Sequence, residues 1–407
     1  MGSLLKRKLG SRILQLGDHG TDVLKLQDYL REQGYDLGDE KSYGYLTKDA
    51  VRQFQREHGL IVDGIAGKRF FALMLAKNVS FRRHIHLVQP NESLEQIAKL
   101  YNVGPEAFGI TSAKKHVYPG QRLRFFHREI WGISHDKLVI ADDAELTGIV
   151  RSGPPENEQN LPLIISPQEF AAHGLEDVHQ VLKSNQERKS SVEKLVSSAN
   201  KKQGLYLPWV EVPALDGTRY LKFLKSLRKA LYPSTQLWVE LGPGIPPWRL
   251  WGGIDYEAVN GIVDRIVFSL PIPTKPGPFD DGRELDQSLN SLLPYVCSWK
   301  VLLKVPVYAL EWGETNGEIS CGKFAYNTAL SRAFRHGARF RKDDAGNVFY
   351  HYKNRSGDFQ LNFPPYDLMK KVCYVINRQN LAGLVIDRMG YEDPRIWQVI
   401  KSYFKAI

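Results

Sequence analysis

The sequence predicts a chain of three parts: a small all-α bundle, a βααβ module and a (β/α)8 barrel. Three observations predict it. The 407 residues exceed what one hydrophobic core organises, so more than one domain is expected. Apolar residues recur at helical spacing in two early stretches, whereas after His127 short apolar runs alternate with helical patterns. Hydrophobic residues at 43% and charged residues at 25% place the chain among ordinary globular proteins rather than disordered or fibrous ones.

Composition also narrows the function. No window approaches eighteen uninterrupted apolar residues, so no membrane span is expected, and the opening Met1-Gly2-Ser3-Leu4-Leu5-Lys6-Arg7-Lys8 lacks the apolar run of a secretory signal. Cys297, Cys321 and Cys373 match no zinc or disulfide framework. The net charge of +10 favours acidic partners, and anionic wall polymers suit it as well as nucleic acid. The basic residues are dispersed with no dense Lys/Arg block, which reads as a solvated surface, and nucleic acid is not an expected partner.

The first module, residues 12–76, carries two helical stripes. Val23, Leu26 and Leu30 form one; Ala50, Val51 and Phe54 form the other. Thr21 and Thr47 read as N-caps, and Gly34 and Gly59 as helix stops. The string Leu16-Gly17, Gly20, Val23, Leu26-Gln27, Leu30, Gly34-Tyr35, Tyr43-Gly44, Thr47, Ala50-Val51, Phe54-Gln55, Gly59-Leu60, Asp63-Gly64 and Gly67 resembles the peptidoglycan-binding domain found beside many wall hydrolases. It departs at Glu40-Lys41, where that family usually has Asp-Gly.

The second module, residues 84–126, reads as strand, helix, helix and returning strand, with His86-Leu87-Val88 opening, a helix begun by Ser93, and Gly120 to Phe125 closing. Val88 to Leu94, Ile97-Ala98, Tyr101, Val103 and Tyr118-Pro119-Gly120-Gln121 resemble a LysM domain, with Asn91 where Gly is commoner. The resemblance implies binding of N-acetylglucosamine runs beside two loops. Those loops here are Pro90, Asn91, Glu92, Ser93 and Leu94, and the stretch containing Lys115, His116, Val117 and Tyr118. His84, His86 and His116 lack an acidic third ligand nearby, so neither a metal nor any other cofactor is expected.

The third domain, residues 128–407, places candidate strands at 130–133, 146–150, 161–165, 204–209, 236–241, 265–270, 301–308 and 383–386, with helices between them and a hairpin at 340–363. This is the order of a TIM-type barrel. Leu381 to Trp397, Lys304 to Trp312, and Gln203 to Pro213 with Tyr220 to Leu224 are similar to the last, seventh and fourth strands of family 18 glycoside hydrolases, in the branch joined to LysM modules in spore-wall lytic enzymes.

That family's reaction needs a Glu acid and a supporting Asp two residues earlier on the fourth strand. Without gaps, Gln203 takes the first Asp of the signature, Pro208 the supporting Asp and Val210 the acid. A one-residue shift puts Glu211 at the acid position but turns Leu205, Leu207 and Trp209 to the other face. Ser269-Leu270-Pro271-Ile272, Asn362-Phe363-Pro364-Pro365 and Asp387 replace further family residues.

Glu211, Glu240, Glu311 and Asp387 remain as candidate catalytic acids expected near the carboxyl ends of strands. Trp209, Trp248, Trp251 and Trp312 are candidate sugar platforms. Two readings stay open: a wall or spore-envelope protein whose barrel has lost catalysis and serves as a binding platform, and an active glycosidase rewired through Glu211 or other mouth acids. Both take peptidoglycan or another N-acetylglucosamine-containing glycan as partner, in a bacterial wall or spore envelope.

Overall fold

The computed structural model describes residues 9–33, 35–57, 60–75, 83–100, 108, 116–126, 128–135, 140, 144–152, 161–170, 174–199, 204–242, 254–279, 285–315, 318–342, 348–355 and 357–404. Gly34, Gly59, Lys115, Gln203, Trp248 and Trp251, named above, lie outside them.

The first module is a helical bundle of α1 (Thr21–Glu32), α2 (Tyr45–Glu57) and α3 (Lys68–Leu75). Its core is the two expected stripes together with Leu14, Tyr43 and Phe70. Both expected caps need correcting. Gly20, at φ 138°, precedes α1, and Thr47 lies inside the first turn of α2. The capping group is Glu40, whose carboxylate accepts from the amides of Leu46 at 3.1 Å and Thr47 at 2.9 Å and from the Thr47 hydroxyl at 2.8 Å. Burial alone would raise the Glu40 pKa, but these donors outweigh it and lower it. The residue that departs from the family string therefore closes the helix terminus.

In the second module β1 (Arg83–Leu87) pairs antiparallel with β2 (Arg122–Phe126), and α4 (Leu94–Leu100) follows the first strand. Ser93 and Gln96 form a reciprocal capping box: the Gln96 amide donates to Ser93 Oγ at 3.2 Å and the Ser93 amide to Gln96 Oε1 at 2.8 Å. Asn91 stands at φ 69°, a left-handed turn position that glycine or asparagine adopts most readily. The second helix expected here falls on residues outside the described set.

The barrel strands are β3 (Glu129–Ser134), β4 (Gly148–Ser152), β5 (Leu163–Ser166), β6 (Gly204–Leu207), β7 (Gln236–Leu241), β8 (Arg265–Ser269) and β9 (Val301–Pro306), closed by the last strand, β15 (Gly383–Asp387), against β3. All eight pairings are parallel. Trp131, Ile133, Val150, Ile164, Tyr206, Trp238, Val267, Leu302 and Val385 fill the interior. The alternate residues, among them Leu205, Leu207, Val239, Phe268 and Leu303, pack outward with the surrounding helices. Between β5 and β6 stand two helices, Leu175–Leu182 and Asn185–Ala199.

Between β9 and β15 stands an antiparallel sheet larger than the expected hairpin. Its strands are β10 (Ala309–Thr315), β11 (Glu318–Phe324), β12 (Arg339–Lys342), β13 (Val348–Asn354) and β14 (Gly357–Asn362), in the spatial order β11-β10-β14-β13-β12.

The first module docks on the barrel through Arg69. Its guanidinium donates to the carbonyls of Gly261 at 3.2 Å and Ile262 at 2.9 Å and pairs with Asp264 at 2.8 Å. Asp264 immediately precedes β8, so the docking face is the end where strands begin, opposite the end where such barrels carry their sites.

Candidate functional site at the barrel mouth

Strand alternation decides what the mouth contains. On β6, Tyr206 points inward, while Leu205, Leu207 and Trp209 belong to the outer core with Tyr220 and Phe223 of the following helix. Trp209 is 1% exposed, stacks on Phe223 at 5.4 Å and donates its indole N–H to the Phe170 carbonyl at 2.8 Å. It is a core residue, not a sugar platform. β6 ends at Leu207; beyond it Pro208 is half-buried, Val210 and Glu211 are both exposed, and Val212 packs in the outer core. The Val210 carbonyl accepts from the Gly242 amide at 2.8 Å, and a β-carbon at Gly242 would lie 2.7 Å from Val210 Cγ1, so glycine permits this close approach.

Glu240 points into the barrel but is sealed there. It is fully buried, accepts hydrogen bonds from the hydroxyls of Tyr206 and Ser269, and pairs with Lys304 Nζ at 2.5 Å. Burial opposes the Lys304 charge, yet attraction from Glu240 and then Asp387 outweighs it and raises the Lys304 pKa. Burial, reinforced by the Glu240 charge, holds the Tyr206 hydroxyl well above its ordinary range and therefore protonated.

Asp387 ends β15 beside this cluster and is 8% exposed. Burial first, then the Asp387 charge, raises the pKa of the neighbouring Tyr308. His135 follows β3 with its side chain exposed, and its pKa is lowered, by partial desolvation first and then by Arg388, with Asp387, Lys304 and Lys323 also acting on it. Arg388 adopts φ 71°, a strained value for a non-glycine residue, at the strand end where function concentrates. The mouth thus combines two buried carboxylates with several cations and hydroxyls. It can hydrogen-bond a polar guest, but Glu240 offers no free oxygen surface for proton transfer.

Glu311 is not a mouth residue. It lies on β10 and is held by Arg332 at 2.6 Å and by the Tyr352 hydroxyl at 2.7 Å, on the sheet face that packs against the helix Tyr326–Arg335. Burial, then the Glu311 contact, pushes Tyr352 up to about 12. The other sheet face carries Lys323, Trp312, Gln360 and His351, cross-strand or same-face partners in the ladder. Trp312 is 6% exposed, in a cluster with Phe279, Tyr308 and Leu310, so it is no open platform.

In the second module Pro90, Asn91, His116 and Tyr118 are exposed, and Glu92 and Ser93 are half-buried. Glu92 accepts from the Gln89 amide at 2.7 Å and pairs with His86 at 2.8 Å. Leu94 is buried in the module core and Val117 packs against it, so neither side chain is available to a glycan as expected.

The mouth residues not foreseen are Tyr206, Lys304, Tyr308, Lys323 and His135. Lys304 had a signal: a lysine inside the apolar run Val301 to Pro306 occupies an inward position of a strand buried on both faces.

Comparison with known proteins agrees with this architecture. Residues 19–74 match the family described as "Putative peptidoglycan binding domain". A spore cortex-lytic enzyme of Bacillus cereus is 38% identical over 60 residues, which are 14% of this chain and 23% of that enzyme. The crystal structures of the spore cortex-lytic enzyme SleL from Bacillus megaterium and Bacillus cereus each align at a TM-score of 0.56 and 17% identity, covering 79% of this chain and 86% of theirs. A chitinase from Chromobacterium violaceum aligns at 0.54 and 15% identity over 69% of this chain and all of its own. The chain accordingly consists of an N-terminal peptidoglycan-binding helical domain and an eight-stranded parallel barrel with the fold of these glycosidases.

Proposed function

We propose that the protein binds peptidoglycan, or a related N-acetylglucosamine-containing glycan, in a bacterial wall or spore envelope, and that its barrel is a non-hydrolytic binding platform. The helical domain, residues 12–76, is one anchor. The βααβ module, residues 84–126, is a LysM-like second anchor, with Asn91, His116 and Tyr118 presented on its surface. Two anchors on one chain raise apparent affinity when both reach one glycan. The barrel domain takes residues 128–407.

The observation that carries the non-hydrolytic reading is the inward end of the fourth barrel strand. Tyr206 takes the last inward position of that strand, and the neighbouring acid Glu240 is held by Tyr206, Ser269 and Lys304, which supports a mouth without a free proton-transfer carboxyl. Among the described residues no helix is long and apolar enough to cross a membrane.

Sedimentation with purified peptidoglycan tests the proposal. The chain co-sediments, soluble N-acetylglucosamine oligomers release it, and the recovered strands keep their length. A chain that stays in the supernatant ends the anchoring reading, and shortened strands end the non-hydrolytic one.

A further inference from the structure

The insertion sheet ends in an open edge. Its outermost strand, β12 (Arg339–Lys342), pairs with β13 on one side, and no strand lies along its other side among the described residues. Such an edge turns alternate backbone N–H and C=O groups outward, a template on which another extended chain can add.

The side chains around this edge are basic and aromatic. Residues 319–342 contain six lysines and arginines and no acidic residue. Arg335, Arg339 and Arg341 are exposed, and none has a carboxylate partner among the described residues. Arg332, by contrast, is committed to Glu311 at 2.6 Å. Phe334 is 91% exposed and Phe340 55%. A tight turn joins the helix Tyr326–Arg335 to β12: the Ala338 amide donates to the Ala333 carbonyl at 2.8 Å and Gly337 adopts φ 59°. Phe334, Arg335 and β12 therefore share one corner of the domain.

Strand pairing sorts these groups by face. Phe340 opposes Tyr350, edge to face at 5.9 Å, on the side where Tyr350 packs with Ala329 and Ala333 of the helix. Arg339 and Arg341 oppose His351 and Phe349 on the other side. A strand added to β12 meets two arginines on one face and an aromatic ring on the other.

Charge selects the occupant. A second copy of this edge would set arginine against arginine, so self-pairing is opposed, and a basic partner is opposed equally. Warding off strands needs no exposed phenylalanine, whereas two of them beside three unpaired arginines suit a partner that is acidic and partly apolar. A lipid surface or a nucleic acid would use the arginines but leave the outward backbone groups of β12 unmatched.

We infer that β12 is a docking edge for an extended acidic segment of a protein partner, which adds beside it as a strand, its carboxylates on Arg339 and Arg341 and an apolar side chain against Phe340. This surface goes beyond the glycan-binding reading and does not depend on it.

The test titrates the full chain with a fluorescent peptide of alternating glutamate and valine. That peptide binds, a lysine–valine peptide of equal length does not, and backbone amide exchange slows at alternate residues of β12. Arg339→Glu with Arg341→Glu, both at exposed positions, weakens the acidic peptide roughly tenfold and admits the lysine–valine peptide instead. Methylating the acidic peptide at the backbone nitrogens that would face β12 abolishes binding, because the ladder cannot form. Peptidoglycan co-sedimentation of the charge-reversed chain matches that of the unaltered one. Equal binding of the methylated peptide, unchanged exchange at β12, or indifference to the charge reversal overturns the inference. Capture of phosphatidylglycerol vesicles or double-stranded DNA at this edge without capture of the peptide overturns it too.

Discussion

The two ends of the barrel interior are built alike although only one of them belongs to the end where such folds place chemistry. At the end where strands begin, Glu129 is paired with Arg265 at 2.5 Å and accepts the Trp131 indole N–H at 2.9 Å. At the mouth, Glu240 is paired with Lys304 and accepts from Tyr206 and Ser269. Each is a carboxylate whose burial is offset by one cation and by neutral donors, one at Glu129 and two at Glu240. The likeness teaches that a buried acid near a barrel mouth is a catalytic candidate only if its lone pairs are free; Glu240 is constructed as a plug, like its counterpart at the closed end.

This comparison can be broken by mutation. The largest expected effect is on stability. Glu240→Leu leaves Lys304 buried without its partner and destabilises the barrel by about 3–5 kcal/mol, as breaking a buried pair does. Glu129→Leu costs less, because Arg265 keeps its hydrogen bond to the Asp264 carbonyl at 2.9 Å, measured by denaturant unfolding. Replacing both members at the mouth, Glu240→Leu with Lys304→Met, recovers most of the loss; failure to recover would show that the pair does more than fill the interior.

Tyr206→Phe has a smaller effect. It removes one neutral donor to Glu240 while Ser269 and Lys304 remain, and costs about 1 kcal/mol. Trp131→Phe at the other end removes the matching donor to Glu129, and comparable losses in the same unfolding experiment would sharpen the parallel. A loss at Tyr206 confined to ligand binding would break it.

The smallest expected effect is a pH dependence at the mouth alone. His135, exposed at the rim, is held below its ordinary value by partial desolvation and Arg388, a shift that solvent screening keeps small, so the folded state binds fewer protons than the unfolded chain as pH falls below that value. Stability then declines as pH drops through the window between the unfolded and the folded pKa, and is unaffected above it. His135→Asn flattens this slope in unfolding curves collected across the window.

Much of the architecture was legible because it is periodic. The stripes of α1 and α2 and the eight short apolar strands follow from local sequence, and period-2 alternation alone separates Tyr206 from Trp209. Glu311 was not legible. Its strand reads as a continuation of β9, and only long-range pairing with β11 and β14 shows that the chain has left the barrel. The Glu40 cap was also hidden: a carboxylate reaching the amides of residues 46 and 47 has no fixed spacing signature, so Thr47 seemed the better candidate. The mouth cluster depends on side chains from five strands meeting across the barrel, which no single segment announces.

Assay of reducing-end release from peptidoglycan and from N-acetylglucosamine oligomers by the purified full chain bears most directly on the central claim. The account predicts release no greater than that of buffer, for the unaltered chain and for Glu211→Gln and Glu240→Gln alike. Release by the unaltered chain that either substitution abolishes would contradict it.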